Sequence, residues 1–333
     1  MGMRKTGQKM GQEIWQKIGF FAFAGLLASA SVGAVAQGYP NKPIKFVVPF
    51  SAGSATDTVG RILAQAMGEA LGTTVTVENR AGANGIPGAE AVKASAADGY
   101  TFLVTTSTTQ AANLSLYKKL NYDPVKDFTP IGKIGETGFI LMVKSEFPAK
   151  DMKEFIAYAK ANPGKLAFGW GSSGSQVSGA LLVQLAGLDA INVPYKSIPP
   201  ALTDLLGGQI QFAFADVGNA VSQINGARMR GLGVTTTRRA GKAPSVPPIA
   251  DTVKDYEVSA WFGLMAPANL PPEVFNKAHA AFLAAVNKVD VQTKLQAAGI
   301  DMDVQDSTRL AKTIDSEIKK WASWVKAANI LPE

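Results

Sequence analysis

Short apolar runs alternate with stretches of helical spacing along most of this 333-residue chain, and that alternation restricts its fold more than any other feature. "IKFVVPF", ending at Phe50, reads as a strand. "TDTVGRILAQAMGEALG" then sets Val59, Ile62, Leu63, Ala66, Met67 and Leu71 at helical spacing. "TTVTVEN", "PGAEAVKAS" and "YTFLVTT" continue as strand, helix and strand. The middle repeats the grammar from "FILMV" through "MKEFIAYAKAN", "KLAFG", "SGALLVQLAG", "INVPY" and "PALTDLLGG" to "QIQFAFAD". Such order predicts doubly wound α/β sheets. "SAWFGLMAP" is one more apolar strand, in which Trp261 and Phe262 read as core, and three helical patterns close the chain at 272–288, 291–298 and 307–328. With no strand partner in view, these helices are expected to pack on the first lobe. The expected division is a first lobe of 37–139 and 260–333, a second of 140–259, and a two-strand hinge near Phe139–Val143 and Val258–Leu264. A cleft between lobes so joined is a common ligand site, and closure about a hinge is one established use of it.

The amino terminus carries Arg4, Lys5, Lys9 and Lys17 before the apolar "IGFFAFAGLLASASVGAVA", which ends at Ala34-Val35-Ala36. That layout predicts a secretory signal peptide over 1–36, cleaved near Ala36, and a mature protein in the periplasm. Its removal would lower the net charge from +7 to +4, so much of the basic balance belongs to the leader. The remaining basic residues are scattered and do not interleave with aromatics, which argues against nucleic acid as a partner. The chain has no cysteine, so its fold must rest on its core, and with a single histidine, His279, most transition-metal sites and every thiol nucleophile are excluded. No cofactor is expected. His279 lies in "FNKAHAAFLAAV", remote from the candidate loops, and is read as a packing or surface residue. "GANGIPG" has neither the dinucleotide glycine pattern nor a P-loop lysine and reads as a turn, and no G-x-S-x-G elbow occurs.

Ligands of open α/β sheets gather at the carboxyl ends of strands, where helices begin with unpaired N–H groups. Here the first strand ends in Phe50-Ser51-Ala52-Gly53-Ser54-Ala55-Thr56-Asp57 and the third runs into Thr106-Ser107-Thr108. In the second lobe, "FGWGSSGSQ" supplies Ser172, Ser173, Gly174, Ser175 and Gln176. Hydroxyls, glycines and helix-start amides from three loops form a site for an anion such as a carboxylate. Each loop read alone is also an ordinary turn or N-cap. Asp57 reads first as a helix-start residue pairing with Arg61, and only second as a ligand contact or base. Lys196 could meet a carboxylate or stay solvated, and Asp216 could cap the next segment or line the cleft.

At these loops the chain resembles the extracytoplasmic solute receptors of tripartite tricarboxylate transporters, the Bug receptors. The likeness runs from about Tyr39 to the C-terminus, on "YPNKPIKFVVPFSAGSATD", "VTVENRAGANGIPGAEAV", "ADGYTFLV", "INVPYKSIPPALTDLLGGQIQFAFAD" and "YEVSAWFGLMAPANLPPEV". The resemblance implies a type II periplasmic-binding-protein fold that closes on a small organic acid and delivers it to a membrane permease. It places carboxylate anchoring on Ser51–Asp57 and Ser172–Gln176, with Thr106–Thr108 and Asp216 lining the rest. Where such receptors usually read Pro-Pro-Gly-Gly-Ser, this chain has Ser51-Ala52-Gly53-Ser54-Ala55; their second loop is typically longer, with a histidine about where Gln176 falls, and Trp170 beside it is unusual. These departures bear on the rest of the ligand rather than on one anchored carboxylate. The expectation is a monomeric, non-enzymatic receptor for a mono-, di- or tricarboxylate, aliphatic or aromatic. The rival readings are an exported hydrolase with Asp57 or Asp216 as base, and a sensor module presenting its bound solute to a signalling partner.

Overall fold

Strand β1 (Ile44–Val48) is almost wholly buried because helices cover both faces of its sheet. It runs parallel to β2 (Val75–Asn79) on one side and to β3 (Thr101–Thr106) on the other. Helix α1 (Ala55–Leu71) joins β1 to β2, with Val59, Leu63 and Met67 buried, and stops at Gly72, whose φ of 64° suits a residue without Cβ. The computed structural model describes residues 38–333, and Lys42–Glu333 form one unit; the leader and its cleavage site near Ala36 lie outside the described residues. Among the described residues no helix is long and apolar enough to cross a membrane.

Two mixed sheets organise the unit. The six-stranded one has the order β11-β4-β10-β3-β1-β2, with β4 (Phe128–Thr137), β10 (Ala260–Pro267) and β11 (Asp301–Gln305). The five-stranded one has the order β7-β6-β8-β5-β9, with β5 (Phe139–Lys144), β6 (Leu166–Trp170), β7 (Ala190–Pro194), β8 (Phe212–Asp216) and β9 (Met229–Val234). Both expected crossings are present: β4 passes into β5 at Gly138, and the chain returns from Val258 into β10. Three strands depart from the sequence expectation. β4 holds Gly132 and Gly135 and has no counterpart among the expected strands; a Cβ on Gly132 would lie 2.2 Å from the Phe282 ring and one on Gly135 would lie 2.5 Å from the Asp301 carbonyl. The glycines are what let a helix and β11 press onto that strand. β11 itself was unread, so the closing helices do have a strand among them, and β9 was unread as well.

The remaining helices are α2 (Ile86–Lys93), α3 (Asn113–Leu116), α4 (Met152–Ala161), α5 (Ser173–Ala186), α6 (Ile198–Leu206), α7 (Val217–Asn225), α8 (Pro272–Val286), α9 (Val289–Ala297) and α10 (Ser307–Ala327). α8 and α9 pack on the first lobe through α1, as expected. α10 does more. Its first half, with Leu310 and Ile314, shares a core with Val47, Leu103 and Trp261, while Trp321, Val325 and Ala328 join a cluster with Phe139, Phe168, Val177 and Leu181 of the five-stranded side.

The crossings are fastened to each other by one buried residue, Thr235, at the end of β9. Its hydroxyl accepts from the Phe139 N–H at 2.9 Å and donates to the Val258 carbonyl at 2.6 Å. Its own N–H donates to the Phe139 carbonyl, and its carbonyl accepts from the Val258 N–H. Thr235→Val keeps the shape but strands both partners of the hydroxyl, and should cost about 1 to 3 kcal/mol in urea unfolding. Thr235→Ser should recover most of that loss.

Candidate functional site

The first loop is built from within. Ser54 caps α1 by accepting from the Asp57 N–H at 3.2 Å, and Gly53, with φ of 79°, turns the chain so that its N–H reaches Asp57 Oδ2 at 3.0 Å. Asp57 also accepts from Arg61 Nε at 3.0 Å and from Asn79 Nδ2 at 2.8 Å. Burial of Asp57 raises its pKa, but the bonds from Arg61, Asn79 and Gly53 overcome this and hold it below the usual carboxylate range. Asp57 is therefore the helix-start buttress paired with Arg61, and its carboxylate is fully occupied there. Asn79 completes the brace by donating to the Phe50 carbonyl at 2.9 Å.

After β3 the chain enters a tight π-helical turn, Thr108–Ala112, in which the Thr108 N–H donates to Thr106 Oγ1 at 3.1 Å. In the second lobe, Ser172 and Ser175 form a reciprocal capping box at the start of α5, and Ser175 Oγ also accepts from the Gly171 N–H at 3.0 Å. Ser173 Oγ donates across the cleft to Thr108 Oγ1 at 2.8 Å. This bond couples the two lobes directly. Gly174 is required where it stands because a Cβ there would lie 2.1 Å from Phe139 Cζ.

These loops meet at a cavity of ≈ 20 Å³, room for about one water. The first loop contributes Phe50, Ser54, Ala55 and Thr56, and the third strand's end contributes Thr106 and Thr108. The second lobe contributes Gly171, Ser172, Ser197, Ile198 and Asp216, and Phe139, Ala260 and Phe262 of the crossing strands supply an apolar wall. Several expected residues do not line it. Ser51, Ala52 and Gly53 lie on the outer side of the turn, Asp57 and Ser175 are spent on local bonds, and Ser173 is spent on the clasp to Thr108. Ser107, Gly174 and Gln176 are buried outside the cavity wall. Lys196 is exposed and away from the wall, and the neighbouring Ser197 takes the place expected of it.

Ser197 is the residue that sequence reasoning missed. It stands at the N-cap of α6 but makes no capping bond, and its hydroxyl is fully buried without a partner. The signal was present as a serine two residues before the Pro-Pro that opens a helix. A Cβ on Gly171 would fall 2.1 Å from the Ser197 carbonyl carbon, so only glycine lets β6 and the α6 start converge so closely.

Four helices begin at the cavity wall: α1, α5 and α6, each bringing about half a positive charge at its N-terminus, and α7, which starts directly after Asp216. The wall contains no lysine, arginine or histidine. Its one ionisable group is Asp216, and burial pushes that carboxyl up to about 6. His279 lies elsewhere, bonded through Nδ1 to the Ile131 carbonyl at 2.8 Å and stacked on Phe275. Among the described residues no group of three or more His, Cys, Asp or Glu is placed to hold a metal ion.

Asp216 binds its proton more tightly folded than unfolded. Stability it confers is therefore complete below pH 3.8, the ordinary carboxyl value, and is lost as pH rises to about 6. Asp216→Asn has no proton to lose, so it should be more stable than wild type by about 1 to 3 kcal/mol at pH 7, with the gap closing toward pH 4. Urea unfolding at the two pH values measures this; a gap that does not change with pH contradicts it.

The model of the tripartite tricarboxylate transporter family receptor matches residues 59–330. Protein BugT of Bordetella pertussis is 33% identical over 313 residues, covering 92% of this chain and 94% of that protein. Among solved structures, an R. palustris protein with adipate superposes with a TM-score of 0.85 at 29% identity, covering 89% of this chain and 100% of that one. MatC from Rhodopseudomonas palustris with bound malate gives a TM-score of 0.79 at 32% identity, covering 86% of this chain and 100% of that one. With two α/β lobes, a two-strand crossing and a cleft cavity in place, this chain belongs to the tripartite tricarboxylate transporter receptor family, of the Bug type.

Proposed function

We propose that the protein is a periplasmic receptor that traps a small organic carboxylate between its lobes and hands it to a tripartite-type membrane transporter, without acting as an enzyme. The lobes in this reading are 37–139 with 260–333, and 140–259, and the mature chain begins after Ala36. The observation that carries it is the convergence of four helix starts and the hydroxyls of Thr56, Ser172 and Ser197 on one small cavity with apolar flanks. Hydrogen bonds to a charged acceptor contribute about 1.5 to 3 kcal/mol each, so a few of them, less ordering and desolvation, support micromolar affinity. Malate and adipate in the related structures are guests of the same general chemistry. The hydrolase reading loses one of its candidate bases, because Asp57 is held by Arg61 and Asn79 outside the cavity wall.

Calorimetry of the purified, ligand-free mature protein against mono-, di- and tricarboxylates should show one-to-one binding of at least one acid near micromolar Kd. Silence across the whole panel would overturn the reading. Ser197→Ala and Thr56→Ala should each weaken that binding by about 1 to 2 kcal/mol. For Ser197→Ala, stability should be unchanged or slightly higher, because the lost hydroxyl has no partner in the protein.

A further inference from the structure

The cavity wall is asymmetric in its polar groups. Helix starts and hydroxyls offer donors from both lobes, whereas Asp216, at the end of β8, is a carboxyl with no cation beside it in the wall. It makes no side-chain capping bond to α7, which begins at the next residue, and the strand residue opposite it is the apolar Phe139. No cation in the wall neutralises this group; its own N–H and the Asn219 side chain at the start of α7 favour its charge, but less than burial opposes it. A guest carboxylate anchored at the helix starts sits in the same small, low-dielectric space, and a second carboxylate on the guest, turned toward Asp216, would place like charges together.

We propose that Asp216 is a specificity-determining residue that accepts a hydrogen bond from a hydroxyl or ammonium group of the bound acid, so that the favoured ligands are hydroxy- or amino-substituted carboxylates rather than plain acids or unsubstituted dicarboxylates. This rests on the reading of the cavity as a carboxylate site. The donor of the guest supplies what the wall lacks, and the apolar side formed by Phe139, Ala260, Phe262 and Ile198 packs against its carbon skeleton. A buried carboxylate whose charge is only partly compensated favours a guest that brings it a donor over a plain acid that does not, which is how such a site discriminates.

The test is calorimetry at pH 7 on the mature protein with butyrate, 3-hydroxybutyrate, 3-aminobutyrate, lactate, alanine and succinate as probes, repeated on Asp216→Asn and Asp216→Ala. In wild type, at least one hydroxy or amino acid should bind ten-fold or more tighter than butyrate and succinate. Asp216→Asn keeps an acceptor oxygen but no charge, so an ammonium preference should collapse ten-fold or more while a hydroxyl preference survives. Asp216→Ala should abolish either preference, and the Asn variant should bind succinate more tightly than wild type does. These two arms tell an ammonium donor from a hydroxyl donor. Acids that bind wild type with preferences unmoved by both variants would overturn this inference alone. Failure of every probe to bind any of the three proteins would overturn it together with the carboxylate reading.

Discussion

The side chain of Thr235 is where the two lobes become one machine. The crossing strands are paired where they pass, Thr137 with Ala260 and Phe139 with Asp216, and a buried N–H or carbonyl left over there would be costly. One threonine answers for both crossings by bonding to Phe139 and Val258 through its hydroxyl and its backbone. In the proposed closure the lobes would turn about this line, with the facing loops meeting across it. Phe139 shows how little slack exists, since it is bonded to Thr235, lies against Gly174 at the start of α5, and forms part of the cavity wall.

In the proposed reading, negative charge would be held on that frame by dipoles. A lysine or arginine in the wall would bind an anion strongly but would carry its own desolvation cost whenever the cleft was shut. Helix starts incur less of that cost, because their N–H groups are already fixed by folding. The first loop is braced by charges kept out of the cavity, Asp57 with Arg61, together with Asn79, and the α5 start is braced by the neutral Ser172–Ser175 pair. Asp216 is the exception: it faces the cavity, and burial outweighs its own N–H and the Asn219 side chain to raise its carboxyl.

Much of this was legible in the residues. The period of the apolar positions located β1, β2, β3, β5, β6, β7, β8 and β10 together with α1, α2, α4, α5 and α6, but neither the short α3 nor α7. β4, β9 and β11 escaped because glycines and charges dominate their composition; Gly132 and Gly135 interrupt the apolar pattern of β4 while admitting Phe282 and the β11 backbone. The candidate site was legible at the level of loops but less so at the level of atoms. Sequence shows that Ser172, Ser173 and Ser175 follow a strand, but not that one lines the wall, one reaches Thr108 and one caps its own helix. It also favours a charged Lys196 over a plain Ser197, although only the shorter side chain stays inside.

Helix α10 adds a limit to the motion. It is rooted by Leu310 and Ile314 in the core of one lobe and by Trp321 and Val325 in that of the other, and the final residue pairs with Leu116 and Lys118. Any parting of the lobes, as the proposed trapping of a guest requires, would draw the Trp321 indole from packed surroundings. The carboxyl-terminal helix thus acts as a brace laid across both cores, and opening would have to work against it.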